Sequence, residues 1–260
     1  MNAAKLPGFV DLQVNGFLGV SYSSTELTEA ELLRSWRALL SAGTGAFCPT
    51  VVTAPVEVYR HVLPLIARCA ALPEFAGAIL GIHCEGPFIS ACDGARGVHR
   101  AEHIKAPADS MALWEEMWSL SAGKLKLLTI AAEVPGAAEL CAAAVARDVV
   151  VSLGHQLATT VDLWKLAEAG ATMLTHLGNG CPAMMHRHNN MIWPGLAEDR
   201  LSAMIITDGH HLPSNVIKTV LRAKGLERSI VVSASSHIQE SLLFAAEAIS
   251  AAHPVIDTTL

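Results

Sequence analysis

VVVSLGHQLATTVDLWKLAEAGATMLTHLGNG, Val149–Gly180, is the stretch that decides the fold. VVVSLG is an apolar strand, Val161–Ala169 has helical spacing, and ATMLT is a second strand. Each strand ends in a histidine, His155 and His176. Strands joined through a crossover helix run parallel, so both histidines open on one side. In a closed barrel that side is the mouth, where active sites form. Two readings of the pair stand at this point. They are satisfied strand-end residues, or they are two ligands of one metal ion. An upstream candidate, Glu85, favours the second.

The same alternation runs outward in both directions. Upstream, the spacing predicts strands at Pro7–Gly16, Gly45–Thr53, Ala76–Pro87 and Leu125–Glu133. Helices are expected at Leu27–Ala42 with Thr28 as a cap, Val56–Ala71, Ser110–Ser121 and Gly136–Arg147. Downstream, strands are expected at Leu201–Leu212 and Ser229–Ile238, and helices at Ser214–Lys224 and Glu240–Ala252. Cys181–Arg200 reads as irregular. Strands without internal polar residues, each followed by a helix, call for a parallel sheet covered on its faces. Eight such units in 260 residues predict an α/β protein, one (β/α)8 barrel of the TIM type spanning 1–260. An open doubly wound sheet is the alternative. No G-x-G-x-x-G follows the first strand, which argues against a dinucleotide site.

Composition narrows the function. Hydrophobic residues make up 52% of the chain and charged residues 16%, enough to bury a large core. A net charge of −6 gives no footprint for nucleic acid. No run of about 18 apolar residues offers a membrane span, and the first residues lack the apolar segment of a signal peptide. The six cysteines include no CxxC pair and mostly sit in apolar runs, as reduced thiols do. The expectation is a cytoplasmic protein without nucleic-acid or membrane partners.

Polar residues cluster where the strands end: Asp11, Gln13, Asn15, His83, Glu85, His155, His176, Asn179, Asp208, His210 and His211. Burying so many ionisable groups costs several kcal/mol unless they pair or bind a metal. Glu85, His155 and His176 supply one carboxylate and two imidazoles, a donor set for zinc or a similar divalent ion with an open position for water. His83 is either a packed strand-end residue or part of the site. His186, Arg187 and His188 form either a phosphate-binding knot or a solvated loop.

The motifs PGFVDLQVNG, HCEGPF, GHQLAT, GATMLTHLGNG and DGHHL, in that order, resemble those of the N-acetylglucosamine-6-phosphate deacetylase family of metal-dependent amidohydrolases. The likeness runs from Pro7 to about Ser236. It implies a hydrolase of amino-sugar metabolism that removes acetate from an N-acetylated amino-sugar phosphate, a linear amide, with a metal-activated water. It implies Glu85, His155 and His176 as ligands of one divalent metal, zinc by expectation. Gln13 and Asn15 stand where many amidohydrolases carry an HxH pair for a second metal. It further implies His211 as the histidine that polarises the substrate carbonyl, Asn179 and Gly180 as a loop holding the sugar phosphate, and His99 as a pocket-lining residue.

Two departures from the family shape the expectation. Where the resemblance puts a catalytic aspartate after the eighth strand, this chain has Ala234, in VVSASS. Alanine cannot take a proton, and losing a general base costs about 10²–10⁴-fold. The alternative to a working deacetylase is therefore an inactive or inactivated barrel that binds metal and sugar phosphate without turnover. The family's small β-sandwich, built from segments flanking the barrel, is expected to be absent. The apolar flank this would bare leads to an expected homodimer. A Schiff-base aldolase reading fails for want of a strand-end lysine.

Overall fold

The computed structural model describes residues 8–236. Eight parallel strands follow one another around the sheet: β1 (Phe9–Val14), β2 (Thr44–Val52), β3 (Ile82–Glu85), β4 (Leu125–Ile130), β5 (Val150–Leu153), β6 (Met173–Leu174), β7 (Ser202–Ile206) and β8 (Ser229–Val232). The first and last strands meet. Val14 bridges Ser235 in parallel, the Asn15 amide donates to Ser235 O at 2.8 Å, and Ser235 Oγ donates to Gly16 O at 2.9 Å. The Asp11 carboxylate accepts the Ser233 amide at 3.2 Å, a further tie across the seam. The sheet is a TIM-type (β/α)8 barrel, and the open-sheet alternative is excluded by this closure.

Among the described residues, seven α-helices return the chain between strands: α1 (Glu29–Ser41), α2 (Val56–Cys69), α3 (Pro107–Leu120), α4 (Ala137–Val145), α5 (Thr160–Glu168), α6 (Ile192–Ala197) and α7 (Ser214–Lys224). Thr28 caps α1 in a reciprocal box with Glu31, as its position suggested. Thr159 and Asp162 do the same for α5. α3 begins three residues before the expected start, because Pro107 suits the first helical position, and it kinks at Ser110. Cys181–Arg200 is not wholly irregular: α6 forms within it. The helix expected at Glu240–Ala252 lies outside the described residues.

Side chains of each strand alternate between two cores. Outward residues such as Leu128, Val151 and Ile205 pack on helix residues Leu32, Trp36, Leu63, Ile66, Trp114, Leu140 and Leu166. Trp36 meets Phe47 and Phe75 edge-on, with ring centres 6.0 and 5.1 Å apart. Inward residues Leu127, Met173, Met204, Ile206 and Val232 fill the barrel. Period-two alternation continues past the strand ends. It sets Glu85 two residues beyond His83, and Ala234 two beyond Val232, on the inner side.

Candidate metal centre and active-site cavity

A cavity of about 820 Å³ opens at the carboxyl ends of the strands. Glu85, His155 and His176 lie among its lining, as do His99, Asn179, Gly180, His211 and Ala234. Every residue singled out by the family resemblance is thus brought to one place. His186, Arg187 and His188 are not among the lining residues. In that loop the His188 and Asn189 amides donate to His186 Nδ1.

The centre is tight. Glu85 Oε1 lies 2.8 Å from His176 Nε2 and 3.2 Å from His155 Nε2, and the two imidazole nitrogens are 3.1 Å apart. Three of the backbones aimed here are left-handed without being glycine: His155 at φ 50°, His176 at φ 30° and Ala234 at φ 47°. Such conformations cost about 1–2 kcal/mol each and collect where function needs a side chain aimed. His155 O accepts the Ser90 amide at 2.9 Å, and His176 O accepts the Asn179 amide at the same distance. Asn179 therefore spends its backbone, and its side-chain amide at 3.3 Å, on holding the His176 turn.

His155 Nδ1 faces Ala95 O at 2.9 Å. A carbonyl only accepts, so Nδ1 carries the proton and neutral His155 presents a lone pair at Nε2. That lone pair meets a carboxylate oxygen and another imidazole nitrogen within 3.2 Å. Acceptors this close repel unless a cation sits among them. Metal bonds of about 2.0–2.2 Å separate neighbouring ligand atoms by about 3.0–3.5 Å, which the cluster nearly matches. The residues fit a divalent ion. Without one, a proton takes its part. Burial alone would raise the Glu85 carboxyl, but bonds and charge from His155 and His176 outweigh it and hold it well below the carboxylate range. Burial would lower His155, yet the bond and charge of Glu85 lift it above the ordinary histidine value.

Several contacts around these residues were not legible in the sequence. Gln13 Nε2 donates to Glu85 Oε1 at 2.8 Å, fixing the carboxylate from β1. His99 is more than pocket lining: its Nε2 lies 3.2 Å from His155 Nε2 and 3.8 Å from Glu85 Oε2. The potential ligand atoms of Glu85, His99 and His155 all fall within 4.8 Å of one another. Burial pushes His99 down to about 4, against the pull of Glu85, so it is neutral at pH 7. Gly180 has a packing reason to be glycine, since a Cβ there would stand 2.8 Å from His155 Nδ1. Asp208 accepts from His211 Nδ1 at 2.7 Å and from the His210 and His211 amides at 2.9 Å. Burial would raise Asp208, but those bonds keep it low and ionised. His211 therefore holds its proton at Nδ1 and leaves Nε2 for other partners.

His83 lies beneath the cluster and resolves as part of the barrel interior. Its Nδ1 donates to Leu12 O at 3.0 Å. Its Nε2 accepts from Thr129 Oγ1 at 2.8 Å, and Thr129, Thr175 and Ser152 continue a chain of hydroxyls at 2.7 and 2.6 Å. Burial lowers His83 to about 4 and keeps it neutral.

No protein-family model matches the chain. It is 36% identical over 232 residues to the N-acetylglucosamine-6-phosphate deacetylase of Bos taurus, an alignment covering 85% of this chain and 55% of that protein. It is 32% identical over 229 residues to the N-acetylgalactosamine-6-phosphate deacetylase of Shewanella sp. (strain ANA-3), over 87% of this chain and 55% of that one. Among solved structures it resembles an Asp→Ala variant of N-acetyl-D-glucosamine-6-phosphate deacetylase from Mycobacterium smegmatis in complex with N-acetyl-D-glucosamine-6-phosphate. The TM-score is 0.80 at 28% identity, over 88% of this chain and 58% of that chain. The chain spans a little over half the length of the curated relatives it matches. By sequence and by barrel, it is a relative of the N-acetylglucosamine-6-phosphate deacetylases.

Proposed function

We propose that the chain provides the barrel of a metal-dependent deacetylase that hydrolyses the N-acetyl amide of an amino-sugar 6-phosphate. The observation that carries this reading is the convergence of Glu85 Oε1, His155 Nε2 and His176 Nε2 within 3.2 Å of one another at the cavity. Zinc is the ion we assign, since two imidazoles and one carboxylate are a zinc donor set. When bound, it supplies Lewis acidity to the amide carbonyl and to a water.

The chain's own residues do the rest. Gln13 holds the Glu85 carboxylate, and Ala95 O holds the His155 ring. His211, oriented by Asp208, presents Nε2 toward the substrate carbonyl. Asn179 and Gly180 line the wall where the sugar phosphate would rest. Six cysteines free of disulfides suit the cytoplasm in which we place it.

Ala234 favours a second reading, binding without turnover. It faces the cavity with a methyl group and no proton acceptor. The experiment measures metal content, binding of N-acetylglucosamine 6-phosphate and N-acetylgalactosamine 6-phosphate, and acetate release, before and after Ala234→Asp. About one ion per chain, with acetate release rising about 10²–10⁴-fold in the variant, is expected. Ligand binding without acetate release from either protein selects the second reading. Neither metal nor sugar phosphate bound by either protein would sink both.

A further inference from the structure

The mouth of the barrel is short of negative charge. Among the described residues that line the cavity, Glu85 is the only carboxylate, against Arg100 and five histidines. A divalent ion held by Glu85 and two imidazoles, which carry no charge as ligands, leaves one positive charge in excess. Other carboxylates of the barrel end are committed elsewhere. Asp11 accepts the Gln13 and Ser233 amides in the seam at 3.1 and 3.2 Å, and Asp208 accepts from His211 Nδ1 at 2.7 Å. Excess charge in a mouth partly walled off from water attracts an anion. Ala234 marks where one fits. Its left-handed turn (φ 47°) is held from β1: the Asn15 amide donates to Ser235 O at 2.8 Å, Asn15 Nδ2 donates to Ala234 O at 3.4 Å, and Ser233 Oγ donates to Gln13 O at 3.5 Å. Gln13 Nε2 in turn donates to Glu85 Oε1 at 2.8 Å, so one residue ties the turn to the ligand cluster. The turn presents only a methyl group to the cavity.

We propose that a small monocarboxylate from solution, formate or acetate, occupies the space beside Ala234 and serves as a dissociable base for the hydrolysis. This rests on the deacetylase reading above. A carboxyl group on one or two carbons supplies what the alanine methyl lacks and is small enough to sit beside it. The carboxylate takes one proton of the attacking water as the water oxygen bonds to the amide carbon. As the C–N bond breaks, it returns that proton to the nitrogen. The products are the amine and acetic acid, and the carboxylate is regenerated. The chain then binds its substrate alone but turns it over only with a borrowed base, and acetate formed in one cycle can serve the next.

The test follows amine release from N-acetylglucosamine 6-phosphate and N-acetylgalactosamine 6-phosphate by the full chain loaded with zinc. Formate or acetate is varied against chloride at constant ionic strength. A saturable rise of at least about tenfold is expected, short of the roughly 10²–10⁴-fold of a built-in base because a dissociable one is not held in place. Ala234→Asp should be active without added carboxylate and insensitive to it, and Ala234→Val, which fills the space, should gain nothing. Independently of turnover, the formate proton should relax faster with the Co²⁺-loaded parent than with either Co²⁺-loaded variant. A parent indifferent to both carboxylates while Ala234→Asp is active overturns the proposal, and so does equal relaxation in all three proteins. Parent activity present without carboxylate and unchanged by it overturns it too. An Ala234→Asp variant that is inert as well brings down the deacetylase reading itself, a result distinct from the others.

Discussion

Asp11 is a carboxylic acid shut inside the seam of the barrel, and removing its charge should stabilise the protein at neutral pH. Burial pushes it from 3.8 to about 6, against the lowering effect of bonds from Ser233 and Gln13. Because the folded value lies above the unfolded one, the folded chain binds more protons between these limits. Stability is then highest below pH 3.8 and is lost as pH rises through 6. At about 1.4 kcal/mol per pH unit, the climb is worth about 3 kcal/mol at pH 7. Asp11→Asn keeps Oδ1 for the Gln13 amide at 3.1 Å and the Ser233 amide at 3.2 Å, so the seam survives. His83 and His99, lowered to about 4, tilt the curve the other way, losing stability as pH falls below 6.5. Both proteins share that effect, and subtracting their curves isolates Asp11. The assay is urea unfolding followed by tryptophan fluorescence at intervals from about pH 4 to about pH 8. The variant should match the parent near pH 4 and exceed it by up to about 3 kcal/mol above pH 7. A gap that does not change with pH would refute the reasoning.

Gly180→Ala would place a methyl 2.8 Å from His155 Nδ1 at a φ of +58°, and should displace the ring. Metal affinity measured by competition with a chelator should fall about tenfold or more; an unchanged value counts against the packing role. Asp208→Asn, made in the Ala234→Asp background, removes the carboxylate that orients the His211 ring at 2.7 Å. With His211 about one-third exposed, the loss should be about 1 kcal/mol, roughly fivefold in kcat/KM. Zinc at about a hundred times its Kd should stabilise the fold by about 2.7 kcal/mol, seen as a rise in thermal midpoint that a chelator reverses; a midpoint indifferent to zinc would count against the ion.

The repeat of apolar strand and amphipathic helix made the barrel legible, because period-two and period-3.6 patterns are written in consecutive residues. Position at a strand end marked Glu85, His155 and His176; parity sets Glu85 inward, whereas His155 and His176, in step with the outward Leu153 and Leu174, reach the mouth through left-handed backbone turns. α6 escaped notice because Pro194 and Gly195 obscure its six residues. His99 was placed only in the pocket, since loop residues carry no period and their approach to a ligand cluster depends on how the loop folds back. The pairing of Asp208 with His211 was hidden for the same reason: a turn at Gly209, not a strand face, joins them. The family resemblance assigns Asn179 and Gly180 to the ligand; hydrogen bonding and steric limits also make them shape the histidines.

Beneath the ion site, the proton of His83 is committed to the carbonyl of Leu12. That single commitment decides the rest: Thr129 must point its hydrogen at His83, Thr175 at Thr129, and Ser152 at Thr175. Three rotors that would otherwise be independent become one polarised thread with a single sense. The interior is therefore not a neutral filler of methyl groups. It has a direction, read from β5 toward β3, and a valine at Thr129, though similar in shape, would leave an imidazole without a donor and a neighbouring hydroxyl without a target.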